Sequence, residues 1–216
     1  MVSSSLPDAK ILSVRTLDNK DARWINLVQI EYQAPDGKVR TWEAMRRPTR
    51  PKDSPVDAVH IIATRQSPGG VSEHEVLLEK QFRPPAGKVV IEFPAGLVDP
   101  NETLEECALR ELREETGYVG EVTSSASGAA AGLVLFGSPA SSFSRALSVM
   151  VNIDPTLPEN QNPQPKLEEG EFIDCFWVPL KELHQEIRRL DAEGFAIDGK
   201  VGAFAEGIEI TKLWQQ

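Results

Sequence analysis

Cysteine and histidine are scarce in this chain of 216 residues. The two cysteines, Cys107 and Cys175, give neither a disulfide framework nor the paired spacing of a zinc site. They read as reduced thiols of an intracellular protein, in a cytoplasmic or nuclear setting. The three histidines, His60, His74 and His184, lie far apart and flank no second ligand, so no chemistry is assigned to them. Long apolar runs are missing as well. The longest, residues 129–136, is far too short to span a membrane, and residues 1–7 hold no apolar signal-peptide core. Positive charge is in deficit, with 23 Lys and Arg against 33 Asp and Glu and a formal net charge of −10. That balance argues against a nucleic-acid binder. An acidic enzyme acting on an anionic substrate would need a metal ion to bring the two together. The length suits one domain of ordinary size with room for a small appended unit.

What the chain does hold is a dense stretch of 23 residues, 96–118. Asp99-Pro100-Asn101 reads as a turn and helix start, and Gly117 as a helix stop. Strong helix formers lie between them with no internal Gly or Pro, giving a helix of about three to four turns. At about 100° per residue, Glu111 and Glu115 sit about 40° apart and one turn apart, with Glu114 on the same side. Leu104, Ala108 and Leu112 form the apolar stripe, and Glu115 falls within it. Ionised carboxylates at the edge of a core are costly unless paired or metal-bound. Clustered hard oxygen ligands suit Mg²⁺ or Mn²⁺. Arg110 can orient one carboxylate and offset part of the repulsion. The plain alternative is a solvated acidic helix with ordinary i,i+4 pairs.

This stretch resembles the Nudix box, Gly-x5-Glu-x7-Arg-Glu-U-x-Glu-Glu-x-Gly-U, where U is a bulky apolar residue. The matching positions are Gly96, Glu102, Arg110, Glu111, Leu112, Glu114, Glu115, Gly117 and Tyr118; only Tyr118, an aromatic, departs mildly. The resemblance implies an α+β Nudix fold, a mixed sheet between helices. It also implies a hydrolase that cleaves a nucleoside diphosphate linked to another group, with Mg²⁺ (or Mn²⁺) held by the box glutamates.

Three further phrases resemble the ADP-ribose pyrophosphatase branch of that family: Trp42-Glu43-Ala44-Met45-Arg46-Arg47, Gln81-Phe82-Arg83-Pro84-Pro85 and Glu92-Phe93-Pro94-Ala95-Gly96. The resemblance implies that Trp24 and Trp42 sandwich an adenine, with Glu43 near the base and Arg47 on the substrate. Arg83 would contact the diphosphate, Glu92 the substrate or a metal water, and Leu97 would lie beside the substrate. Metal ligands would be the Ala95 carbonyl, Glu111, Glu114, Glu115 and a later loop glutamate, for which Glu171 matches best, with Glu169 and Glu168 as fallbacks. Catalysis would fall on Glu111, Glu115 and Glu171, the last as a base on a mobile loop. One departure stands out. The branch carries a Pro-Gly phrase closer to the box, whereas the nearest Pro here, Pro139, lies 22 residues beyond Gly117 and has no glycine or acid beside it. This leaves the sugar-side contacts open. Other ADP-sugars, oxidised nucleotides and dinucleotides stay as rival substrates, and a catalytically silent Nudix-fold binding module is the rival of another class.

In chain order, residues 1–9 read as a tail and 10–17 as a strand. Residues 23–33 and 38–45 form a hairpin around Ala34-Pro35-Asp36-Gly37. The Pro-rich stretch 47–55 marks a boundary, with 1–55 an N-terminal dimerisation segment bearing the tryptophans and 56–216 the catalytic domain. Strands are expected at 56–65, 74–82, 89–93, 119–125 and 143–153, with a Gly-Gly loop between the first two. Residues 126–137 stay unassigned. Residues 154–170 read as a polar, lid-like loop leading into a strand that ends near 178. Helices follow at 179–193 and from 198 onward. On the hairpin, Trp24 opposes a residue near 47, placing Trp42 about five residues, or roughly 16 Å, away. Stacking on both faces of one base needs planes about 7 Å apart. One hairpin cannot supply that, so a homodimer with exchanged N-terminal segments is expected.

Overall fold

The computed structural model describes residues 9–67, 73–123 and 132–214. The expected tail, most of the Gly-Gly loop and the first part of the 126–137 stretch lie outside them. Residues 10–17 are exposed and carry no regular structure, contrary to the expected strand. Their alternation suggests a strand, but a strand holds only where a neighbour takes up its backbone hydrogen bonds. The first strands are β1 (Asn26–Gln33) and β2 (Val39–Arg46), an antiparallel pair in which Asn26 faces Arg46 and Ile30 faces Trp42. Gly37 closes their turn at φ 80°, which suits glycine. Within these strands Ala44 is buried and Val28 and Ile30 are half-buried, and the other apolar side chains are exposed.

The remaining strands form one mixed sheet of nine. At its centre is β3 (Ala58–Gln66), with β4 (His74–Arg83) antiparallel on one side. Next come β5 (Lys88–Glu92), paired with β4, and β6 (Ala95–Leu97), a strand the sequence does not announce, paired with β3. Then α1 (Leu104–Thr116) crosses the sheet. Two short strands, β7 (Glu121–Val122) and β8 (Val134–Phe136), pair with the two ends of one edge of β9 (Arg145–Asn152), whose other edge runs parallel to β3. A one-turn helix α2 (Pro158–Gln161) follows, then β10 (Ile173–Pro179) on the free side of β4. The chain finishes with α3 (Leu183–Ala192), β11 (Ala196–Ile197) and α4 (Gly199–Leu213).

Strand alternation builds a core on each face. Val59, Ile61 and Ala63 of β3 meet Leu147, Val149 and Val151 of β9 and Cys107, Ala108 and Leu112 of α1. On the opposite face Val76, Leu78 and Ile91 meet Leu183, Ile187 and Leu190 of α3 and Val201 of α4. The sheet is therefore sandwiched between helices, the α+β arrangement expected. Among the described residues no helix is long and apolar enough to cross a membrane. Helix α1 begins later than the Asp-Pro-Asn turn suggests. Thr103 is its N-cap, in a reciprocal capping box with Glu106, while Asn101 bends the approach at φ 64°. Its end is Gly117 in the left-handed region.

Asp57 fastens the N-terminal linker to this sandwich. It is 4% exposed and accepts from Arg50 Nε at 2.9 Å, Arg50 Nη2 at 2.7 Å and the Arg145 amide at 2.8 Å. Removing one partner of such a buried pair strands the other. Asp57→Ala is expected to lower unfolding free energy by about 3–5 kcal/mol in urea titrations, whereas a loss under about 1 kcal/mol would show that the latch is incidental.

Candidate active site

The edge of α1 closes directly on β6. Arg110 holds the junction: its guanidinium reaches Glu102 at 2.7 Å, Glu111 at 2.8 Å, Glu114 at 3.0 Å and the Leu97 carbonyl at 3.1 Å. A side chain at Gly96 would overlap the Glu111 carboxylate, so glycine lets that carboxylate lie against backbone. One turn on, Glu115 accepts from the Ala95 amide at 3.0 Å. Together these contacts shape a cleft of about 420 Å³. Glu111, Glu114 and Glu115 line one wall, Ala95 and Leu97 another, and Glu168 and Glu171 enter from the segment before β10; Trp24 stands at the margin.

The cleft concentrates negative charge where water is scarce. Burial pushes the Glu115 carboxyl up to about 8, with the Glu111 and Glu171 charges adding to the shift and the Ala95 amide opposing it. Glu111 is also raised, chiefly by burial, with Arg110 working against the shift. Behind them lies Glu79 of β4, a residue the sequence reading passed over. It is fully buried, and neither carboxylate oxygen has a hydrogen-bond partner among the described residues. Burial first, then the charges of Glu115 and Glu92, raise it well above the usual carboxylate range. The signal available in sequence was a Glu in the middle of a Val-Leu-Leu-Glu-Lys strand, where no apolar core wants one.

These donors fit a hard divalent cation. They are carboxylate oxygens beside a backbone segment, gathered where only a cation or protons can offset the charge, and Glu79 is left without any other partner. Among the described residues no three acidic, His or Cys side chains are already drawn into a cage. The reason is Arg110, which draws Glu111 and Glu114 to itself and which a cation would have to displace or share.

The other expected site residues divide by place. Arg83 pairs with Glu92 at 2.6 Å, with its side chain 41% exposed, close enough for its charge to act on Glu79 and Glu115. Arg47 lines a second cavity of about 720 Å³ that shares Asp57 and Leu97 with the acidic cleft. Glu43 is exposed on β2 and lines neither space. Trp42 lies at a third hollow, its Nε1 donating to the Ala140 carbonyl at 2.7 Å. In the hairpin register Trp42 faces Ile30, whereas Trp24 precedes β1 and lies outside the ladder; Trp24 lines the acidic cleft and Trp42 the third hollow. One chain does not bring them together. Glu169, unlike Glu168 and Glu171, does not line the acidic cleft.

The raised Glu115 pKa has a direct consequence for stability. The folded protein keeps a proton that the unfolded chain releases near the ordinary value of 4.5, so the contribution is full at low pH and is lost as pH rises through about 8. His60, whose burial depresses it to about 4, acts only below about 6.5 and with the opposite sign. Between pH 6.5 and 8 the metal-free protein should therefore lose melting temperature, and Glu115→Gln should flatten that slope. A melting temperature that rises across this window in EDTA would contradict the assignment.

Residues 55–196 match the family model described as the NUDIX domain. An uncharacterized Nudix hydrolase of Schizosaccharomyces pombe is 45% identical over 92% of each chain. The ADP-ribose pyrophosphatase of Saccharomyces cerevisiae is 40% identical over 96% of this chain and 87% of its own. The ADP-sugar pyrophosphatase of Mus musculus is 38% identical over 85% and 81%. With box, sandwich and acidic cleft in one place, and relatives matching over most of both chains, the chain belongs to the Nudix family of hydrolases.

Proposed function

We propose that this enzyme hydrolyses the diphosphate of ADP-ribose to AMP and ribose 5-phosphate, using Mg²⁺ with Mn²⁺ as the alternative. The observation that carries this reading is the acidic cleft with the Arg83–Glu92 pair nearby, in a chain similar over nearly its whole length to a yeast ADP-ribose pyrophosphatase. The Ala95 carbonyl, Glu111, Glu114, Glu115 and Glu171 would hold the metal. A bound divalent cation supplies charge neutralisation on the diphosphate and makes an attacking water more acidic.

The chain's own residues do the rest. Arg83, half-exposed and anchored by Glu92, offers a planar fork to phosphate oxygens. Glu171 takes the proton of the attacking water. The new P–O bond forms at one phosphorus as the bridging P–O bond breaks, and the departing oxygen leaves on the other phosphate. Glu115→Gln should lower kcat by at least about 100-fold with little change in fold. Release of AMP from ADP-ribose, ADP-glucose and a diadenosine polyphosphate, with and without Mg²⁺, tests the substrate. Fast metal-dependent cleavage of ADP-ribose supports the reading, and no turnover of any of them sinks it. A broader ADP-sugar preference is the second reading. It is favoured by the Pro139 loop, whose Ala140 and Ser141 carbonyls seat Trp42 and the Met45 amide.

The same proposal includes a homodimer in which residues 1–55 serve as the exchanged arm and 56–216 as the catalytic domain. The hairpin leaves Leu27, Val39, Trp42 and Met45 exposed, and within one chain Trp24 and Trp42 line different hollows. Trp24 of one protomer and Trp42 of the other would hold the adenine, with Glu43 beside it and Arg47 toward the phosphates. Trp24→Ala and Trp42→Ala proteins, each weak alone, should recover about a quarter of wild-type activity when unfolded and refolded together, because each mixed dimer keeps one intact clamp. No recovery would contradict the exchange.

A further inference from the structure

Residues 154–166, the larger part of the 154–170 stretch that reads in sequence as a lid-like loop, are fastened to the end of α1. Asn160 of α2 is 6% exposed. Its Oδ1 accepts from the Val119 amide at 2.9 Å, and its Nδ2 donates to the Val119 carbonyl at 2.9 Å and the Asp154 carbonyl at 2.8 Å. Val119 lies just past the box glycine. Farther along, the Lys166 amide donates to the Glu114 carbonyl at 2.7 Å, satisfying an acceptor that the last helical turn leaves open. Between these two ties the chain crosses Gly117, where a Cβ would overlap the Gln164 backbone. The box glycine thus serves twice, as a left-handed cap at φ 75° and as the surface over which this strap runs.

The strap leaves little of the expected lid free to move. Its fixed end is Lys166, and the next fixed point is Ile173, paired with Gln81 in the sheet. Only residues 167–172 span the gap, with Gly170 at φ 92°. Within them the Glu171 amide donates to the Glu168 carbonyl at 3.1 Å and the Glu168 amide to Glu171 Oε2 at 2.9 Å, forming a tight loop that carries both carboxylates into the cleft.

We propose that Asn160 is a positioning residue for the hydrolysis. By locking the strap to Val119, it fixes where the short 167–172 loop leaves α1 and so where the Glu171 carboxylate stands beside the carboxylates of that helix. The proposal rests on the reading of Glu171 as proton acceptor.

A double-mutant cycle tests it. Wild type, Asn160→Ala, Glu171→Gln and the double variant are assayed with ADP-ribose and Mg²⁺ well below their melting temperatures. Asn160→Ala is expected to lower kcat by about 10- to 100-fold and to change KM by less than about threefold. In the Glu171→Gln background the same substitution is expected to change kcat by less than about twofold. Asn160→Asp keeps the acceptor for the Val119 amide but sets a carboxylate oxygen against the Val119 and Asp154 carbonyls, so it should lower kcat at least as far as Asn160→Ala. Full additivity in the double variant overturns the proposal, as does a loss confined to melting temperature with kcat intact. An active Glu171→Gln overturns it together with the proton-acceptor role but leaves ADP-ribose hydrolysis standing. An inactive wild type instead removes the substrate reading.

Discussion

Burial of clustered carboxylates at the edge of an apolar core, sharpened by the repulsion among them, is the constraint on which this structure turns. Glu111, Glu114 and Glu115 project from one helix, Glu168 and Glu171 approach from a loop, and Glu79 stands behind them with no partner among the described residues. In a medium of low effective dielectric, such a group holds protons, recruits cations or comes apart. A plain surface helix avoids the problem by turning its acids to water. Here Glu115 is 5% exposed and sits among the buried residues of α1.

Much of the local architecture answers that repulsion without removing it. Arg110 touches three glutamates and the Leu97 carbonyl, so one guanidinium both offsets charge and ties α1 to β6. Gly96 supplies room for Glu111, and the Ala95 amide is directed at Glu115. Arg83 is held by Glu92, close enough for its charge to act on Glu79 and Glu115. The strap through Asn160 and Lys166 then returns to the same helix and delivers two more carboxylates. The charge left over is what the proposed function would use: a divalent cation would take the carboxylates, and the arginine would take phosphate oxygens. The electrostatic strain is thus concentrated at the site proposed for the chemistry.

The parts legible in the sequence were those with local physical signatures. Helix α1 has a periodic stripe and a glycine stop, and the hairpin has an Asp-Gly turn between alternating strands; both elements are present, though α1 and β1 each begin a few residues later than the sequence suggests. The box resemblance carried the identity of the acidic wall. Illegible parts depend on partners distant in sequence. β6 is three residues long and is a strand only because β3 lies beside it. Residues 10–17 alternate like a strand but have no ladder to join. The 154–166 strap looks like a lid because its composition is polar and aperiodic, whereas its anchorage comes from one asparagine side chain and one amide. The burial of Glu79 follows from its being flanked by β5 and β10, where Glu92 and Cys175 oppose it.

The central claim is that this buried acidity is neutralised by protons in the free protein and by a divalent cation in the working one. Calorimetric titration of the metal-free protein with Mn²⁺ at pH 7, repeated in buffers of different ionisation enthalpy, counts protons exchanged on binding. The account predicts net proton release, largely abolished in Glu115→Gln, because Glu115 with a pKa of about 8 is mostly protonated at that pH. Cation binding with no proton release in the wild type would contradict it.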